Sequence, residues 1–546
     1  MEIFPNFQLL ERKKMIKKSN FSRRRFISYA GASAAMAVTG TTSLIGTSAL
    51  ASKVQRGGTI TLSVPEPVAE LDPHKVVSHG SFPATFHMFS ALTRIGQDFN
   101  AKPELAKSWS TLDGGQTWTF NLFENAKFHN GRPVTAEDVK YSLERVLDEK
   151  TSPHGHTAIG PIKEVIAKGL HTVEIRLTTT YVDLPVDLGG IYPRVVDREN
   201  IDKIYTAPNG SGPFKMVKWE PNGITVLAAN SDYHITGEDG QAIPYIDSMR
   251  LVPIKEPTSE FAALQSGETD IMFQLPYDLI PAAKGDPKIV VDATETGYHN
   301  LSLHQKPTFR LPNDNSELLL DKRVRQALAY AINRPAILDV SIGGFGRIGN
   351  DQPIPPTHVY GHTGLKPREH NVEKSKQLLA EAGVKPGTRL ILHTTTGRPG
   401  LMEHALAVRE MAKEVGLDIA VDAIDISRYW TDIEYRAPMY MDNWGARQTI
   451  NASIKPFYET GGGNNCAGFS NANVDSLLSR AEGETDFESR KSLYNQAMEI
   501  ISDEAVTIIP YFKGYYIAMN PAVGGVSAHP MSYMWLDWAY RKAKDK

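Results

Sequence analysis

Residues 249–273 read as one β-α-β unit, and that unit narrows what the chain can fold into more than any other stretch. Met249–Pro253 is a short apolar strand, Ser259–Gln265 a helix ended by Gly267, and Asp270–Phe273 a second strand. Strands joined through a helix belong to a sheet with helices packed on its faces, so the class is α/β. The alternation recurs on both sides of the unit. Ile60, Leu62 and Val64 alternate with polar residues until Pro65 and Pro67 stop a strand over 59–64, and Val173, Ile175 and Leu177 repeat the pattern. A helix is expected over Ala84–Leu92, two strands between Gly114 and Phe128, and a helix capped by Thr135 that carries Val139, Leu143 and Val146. Lys215–Trp219 and Ile224–Ala228 flank the Pro221-Asn222-Gly223 turn as a hairpin.

Further along, strands at Tyr298–Leu303, Leu390–Thr394, Asp418–Ala423 and Val506–Phe512 alternate with four helices. These begin at the cap Asp321 and at Ser375, Ala405 and Ser489. A chain of 546 residues exceeds what one hydrophobic core supports, so two or three domains are expected. Gly344, Gly346 and Gly349 match G-x-G-x-x-G. The dinucleotide fingerprint needs a strand before it and a helix after it, whereas here a helix precedes and Pro353, Pro355 and Pro356 follow.

The N-terminal fifty residues carry a different message. Arg23, Arg24, Arg25, Phe26 and Ile27 precede a weakly apolar stretch rich in Ala, Gly, Ser and Thr, which ends at Ala49-Leu50-Ala51. This order resembles a twin-arginine export signal with a cleavage site after Ala51, and Met15 would serve equally well as its start. Positions 1–51 hold eight Lys or Arg and two Glu, so the remainder carries a net charge of −9. An acidic exported chain is a poor candidate for nucleic acid or anionic lipid. The single cysteine, Cys466, excludes an intramolecular disulfide and lies far from any position that could bear a lipid anchor. A freely diffusing periplasmic protein is expected.

The candidate site lies at the end of the apolar stretch Pro438–Met441, where Asn443, Trp444, Gly445 and Arg447 bring a large aromatic and a guanidinium together. Tryptophan offers a flat apolar face and an N–H. Arginine offers a planar fork that matches a carboxylate with two charge-assisted hydrogen bonds. Arg398, in the Gly397–Gly400 loop after a strand, is a second candidate cation. Phe82 and His79, in the loop leaving the first strand, and His154, in the Ser152–His156 loop, are further candidate contacts. Glu268 and Asp270 sit on a helix-to-strand turn where solvated charges are common, so no acid-base pair is assigned there.

The chain also resembles the extracytoplasmic solute-binding proteins of ABC importers, specifically the peptide and nickel class, family 5. The resemblance is carried by Pro103-Glu104-Leu105-Ala106 with Ser108 and Trp109, by Phe128-His129-Asn130-Gly131, and by Thr135-Ala136-Glu137-Asp138-Val139. It continues in Gly210-Ser211-Gly212-Pro213-Phe214, in Leu264–Asp270, and in Val324-Arg325-Gln326-Ala327 with Ala331-Ile332-Asn333-Arg334.

The resemblance implies an α/β, two-lobe periplasmic-binding-protein fold of type II, similar to cluster C, with an extra subdomain inserted in the first lobe. It places that subdomain at 93–185, the first lobe in segments 52–92, 186–297 and 508–546, and the second lobe at 298–507. The hinge crossings would fall near Thr296–Leu301 and Ile508–Tyr511, with ligand held between the lobes. It implies no cofactor and no resident metal, a small-molecule or peptide ligand, delivery to ABC permease subunits, and a monomer. It also places Trp444 at the cleft. Peptide-binding relatives usually carry an aspartate where this chain has Arg447, and that aspartate receives the peptide's ammonium. An arginine inverts the sign, so an anionic group on the ligand is expected. Asn130 and Asn333 stand where relatives often carry Asp, with no consequence expected for ligand choice.

Two alternatives stay open. A nickel chelate or haem would call on His154, His156, His79 and His299, although these show no ligand spacing. An exported hydrolase finds no G-x-S-x-G, no H-E-x-x-H and no basic partner for Cys466.

Overall fold

The computed structural model describes residues 54–542; the export-signal residues discussed above lie outside them. Eleven strands form one sheet: β1 Thr59–Val64, β2 Phe214–Lys218, β3 Thr225–Ala229, β4 Ser248–Pro253, β5 Ile271–Met272, β6 Val290–Leu303, β7 Gly346–Ile348, β8 Thr388–Thr394, β9 Leu417–Ala423, β10 Met439–Trp444 and β11 Thr507–Met519. Their order is β9-β8-β10-β6-β11-β5-β1-β4-β3-β2, with β7 pairing the edge of β11. The helices that matter for the site are α1 Phe82–Met88, α2 Ala136–Leu147, α3 Pro257–Ser266, α4 Arg334–Ile342, α5 Leu401–Glu414, α6 Ile450–Tyr458 and α7 Phe487–Glu504.

The β-α-β unit forms as its sequence demands. β4 and β5 lie on either side of β1, both parallel to it, and α3 makes the crossover. Gly267 ends α3 in the left-handed region at φ 80°, a backbone conformation that side chains with a Cβ resist. Asp270, expected to be a solvated charge, is instead buried. It accepts from the Thr61 backbone N–H at 2.8 Å and takes two bonds of 2.7 Å from Arg541, which ties β5 to β1 and to the C-terminal segment.

Two cores hang from this sheet. In the first lobe Ile60, Leu62, Val64 and Phe214 pack with Tyr515, Ile517 and Met519 of β11. In the second, Leu301 and Leu303 of β6 and Ile508 and Tyr511 of β11 pack with α4, α5 and the apolar faces of β8 and β9. The long strands β6 and β11 therefore belong to both lobes. They pair antiparallel along almost their whole length, with register shifts between Glu295 and Tyr298 and between His299 and Leu301. Only the 298–303 part of β6 is legible in the sequence, because Val290-Val291-Asp292-Ala293-Thr294-Glu295-Thr296-Gly297 shows no sustained apolar alternation.

A separate four-stranded sheet, of Ala106–Thr111, Thr117–Leu122, Ile162–Ala167 and Thr172–Leu177, packs with α2 around Phe120, Val139, Leu143 and Ile175. One strand rather than two occupies 114–128, because Phe128 turns back through Gly131 and only Lys127 bridges to Pro133. Thr135 and Asp138 close the capping box at the start of α2. The glycine-rich segment after α4 forms a turn and strand β7, with no helix at its end to receive a pyrophosphate. No helix among the described residues is long and apolar enough to cross a membrane.

Candidate functional site

β10 leaves the second-lobe core at Met441 and ends where the two lobes meet. Asp442 is fully buried there, accepting from the Asn443 backbone N–H at 2.7 Å and from Trp444 Nε1 at 3.0 Å. Burial, with Glu434 nearby, pushes its carboxyl up to about 8, so it is neutral near pH 7. Trp444 is half-buried, its ring edge-on to Phe457 at 4.7 Å. Arg447 lies over both rings, at 5.7 Å from Trp444 and 6.0 Å from Phe457. Its guanidinium is exposed and meets no carboxylate among the described residues.

Arg447 lines two cavities between the lobes. One, a narrow gap of about 20 Å³, is bounded by Phe99 of the first lobe and by Gly297, His358, Gly445 and Phe457. The other, of about 710 Å³ and open to solvent, is bounded by His156, Ile191, Met531 and Tyr533 on the first-lobe side and by Ala446 and Gln448 on the second. Gln448 crosses the gap, its Nε2 donating to Asp187 Oδ1 at 2.6 Å and to the Ala158 carbonyl at 3.1 Å. Burial brings Asp187 up to about 7. Gly445 is exposed, and a Cβ there would meet nothing within 4 Å, so close packing does not explain its glycine.

Arg398 is also exposed, 5.8 Å from the Trp430 ring, and among the described residues no carboxylate pairs with it. It stands just before α5. Its neighbours Pro399 and Gly400 border a third cavity of about 750 Å³, which faces Leu275, Tyr277 and Tyr516. Asn443 points the other way from Trp444, and its Oδ1 accepts from Lys513 Nζ on β11.

The remaining candidates are placed less centrally. Phe82 opens α1, stacked on Phe86 at 5.9 Å and edge-on to the exposed His79 at 5.6 Å. It packs against the same cluster as Ile191 and Met531, which line the cavity beside Gln448. His154 is exposed on its loop and borders none of these cavities, where His156 does. His299 is buried, its Nδ1 2.6 Å from the Tyr511 hydroxyl, and burial holds its pKa well below the ordinary value. It is therefore a neutral core residue rather than an open ligand. Among the described residues no group of three His, Cys, Asp or Glu could hold a metal ion. Cys466 is buried, and burial pushes its thiol upward, away from nucleophilic use.

Sequence reasoning missed Asp442, Gln448 and Lys513. Asp442 follows an apolar run, and that run is the one available sign that an acid there would be desolvated. Lys513 gives no local sign, because only the packing of β11 buries it.

Comparison with known proteins agrees with this architecture. The model for bacterial extracellular solute-binding proteins, family 5, middle region, matches residues 100–465. The chain is 25% identical over 474 residues to the oligopeptide-binding protein AppA of Bacillus subtilis, covering 81% of this chain and 84% of that one. It is 28% identical over 473 residues to heme-binding protein A of Haemophilus influenzae, covering 79% and 82%. The structure is similar to that of the ABC transporter substrate binding protein CtaP of Listeria monocytogenes, with a TM-score of 0.75 at 20% identity over 89% of this chain and all of that one.

Proposed function

The chain belongs to the bacterial extracellular solute-binding proteins, family 5, and we propose that it captures a small solute bearing an anionic group, a peptide or a related compound, for an ABC importer. The family is one of binding proteins rather than enzymes. The ligand would lie between the lobes and select the closed arrangement through contacts with both at once. β6 and β11, shared by the two cores, are the natural hinge: the crossing on β6 stays near the expected Thr296–Leu301, and that on β11 falls at Phe512–Gly514 instead of Ile508–Tyr511, because Ile508 and Tyr511 pack in the second-lobe core. The lobes would comprise the segments given above, except that 508–511 join the second lobe, where Ile508 and Tyr511 pack, with 93–185 as the insertion.

One observation carries the choice of an anion: Arg447, which lines both cavities between the lobes, has no carboxylate partner among the described residues, and neither has Arg398, next to the cavity that Pro399 and Gly400 border. A guanidinium desolvated on closure gains a charge-assisted pair with a carboxylate and would repel an ammonium. Trp444, Gly445 and Asn443 would frame the ligand, and Phe82 would support the opposing wall. Export by the twin-arginine signal with cleavage near Ala51, a periplasmic location, a monomeric state and delivery to permease subunits complete the proposal. Arg447→Asp should abolish binding of the native solute in calorimetric titration, and unchanged affinity would remove Arg447 from the site.

The relative named as a heme-binding protein keeps a second reading in view. Haem titration followed by its absorption band, together with metal analysis of protein purified without added metal, separates the two. Stoichiometric haem or metal would favour the chelate.

A further inference from the structure

At the crossing between the lobes stands a half-buried ammonium that forms no ion pair with a carboxylate among the described residues. Lys513 lies on β11 between Tyr511, in the second-lobe core, and Tyr515, in the first. Gly346 of β7 is its partner on one side. On the other side it reaches over β6 to Asn443, the penultimate residue of β10, and donates from Nζ to Oδ1. An ammonium has three N–H donors, and an amide oxygen satisfies one of them without supplying charge. No Asp or Glu oxygen among the described residues lies within 4.0 Å of that nitrogen.

The surrounding field makes this worse for the free protein. Burial first, and the positive charge of Arg398 second, bring Lys513 down to about 8, with Asp442 opposing them. Asp442, whose charged form would offset both, is pushed toward its neutral form by burial and makes no ion pair with Lys513. A desolvated cation without a counter-charge is unfavourable in a folded chain, and such sites recur where a ligand supplies the missing charge.

We propose that Lys513, with Asn443 beside it, is the subsite that receives a carboxylate of the solute, making Lys513 a specificity-determining residue that separates acids from their neutral amides. This rests on the anionic-solute reading above and assigns where the charge is read: at the hinge, in addition to the Arg447 edge. A charge held on β11 is felt where the two lobes join, so filling it bears directly on the interlobe equilibrium.

The test is calorimetric titration with three probes, tri-alanine, Ala-Glu-Ala and glutathione, each as the free acid and as the C-terminal carboxamide. The wild-type protein should bind at least one acid about 10- to 100-fold more tightly than its amide. Lys513→Met should reduce that ratio to within about threefold by weakening the acid alone, and Lys513→Arg should keep most of it. Thermal melting without ligand gives an independent reading. Removing an unanswered cation should leave the Met variant's midpoint unchanged or higher. A Met variant that keeps the wild-type acid-to-amide ratio, or that melts lower because the bond to Asn443 serves the fold, overturns the assignment of Lys513 and leaves the anionic-solute reading standing. If no acid binds the wild-type protein better than its amide, both fall.

Discussion

Arg490 of α7 places Nη1 2.7 Å from Oδ1 of Asp183, a contact between the second lobe and the rim of the inserted subdomain with the two side chains 5% and 4% exposed. The guanidinium is held further by the Ala481 carbonyl at 2.9 Å and the Tyr360 hydroxyl at 3.0 Å, and it lies over the Tyr360 and Tyr494 rings. The pair thus joins two bodies whose cores are otherwise distinct. Asp183→Asn keeps the shape and removes the charge, leaving a buried guanidinium without a counter-ion. It should lower the unfolding free energy by about 3 kcal/mol, read as an earlier midpoint in urea denaturation.

Asp442 should govern part of the pH dependence of stability. Its carboxyl sits at about 8 instead of 3.8, so the folded chain holds that proton more tightly than the unfolded chain does. The stability it contributes is therefore fully present below the unfolded value, near pH 4, and is lost as pH rises through about 8. Glu434, raised by burial to about 7, acts in the same sense. Urea unfolding of the wild-type protein should show stability falling by a few kcal/mol over this window, by the linkage of proton binding to folding. Asp442→Asn, which keeps an acceptor for the Trp444 indole, should flatten the decline.

Gly297 should tolerate no side chain. A Cβ there would lie 1.7 Å from the Trp444 carbonyl oxygen, a backbone atom that cannot move without displacing the end of β10. Gly297→Ala should destabilise the protein by about 3 kcal/mol or more and weaken ligand binding together with stability, because it forces apart the strands that carry Trp444 and the hinge. Thermal melting and titration of one preparation would check both.

Much of the sheet is legible in the chain because its strands announce themselves locally. Ile60-Leu62-Val64 and the β-α-β unit at 249–273 show period and punctuation that tertiary structure merely assembles. The first half of β6 is different: residues 290–297 become a strand because β11 is there to pair with them. α6 and the helix Ala472–Glu482 went unread for a similar reason, since short helices in polar surroundings owe their stability to packing around Ile454, Leu478 and Tyr494. At the site, Trp444 and Arg447 were visible as an aromatic and a cation side by side. Gln448, Asp442 and Lys513 were not, because their roles arise from burial and from partners on distant strands. Asp270 shows the converse: a turn position suggested solvent, and an arginine 271 residues away in sequence removed it from solvent.

The central claim, that the lobes close on a solute whose negative charge meets the exposed guanidinium of Arg447, is tested most directly by native mass spectrometry of gently purified protein, wild type beside Arg447→Asp. The expected result is a noncovalent adduct of an acidic compound on the wild-type protein that is absent from the variant. An adduct that is neutral or cationic, or an acidic one that persists unchanged on Arg447→Asp, would contradict it.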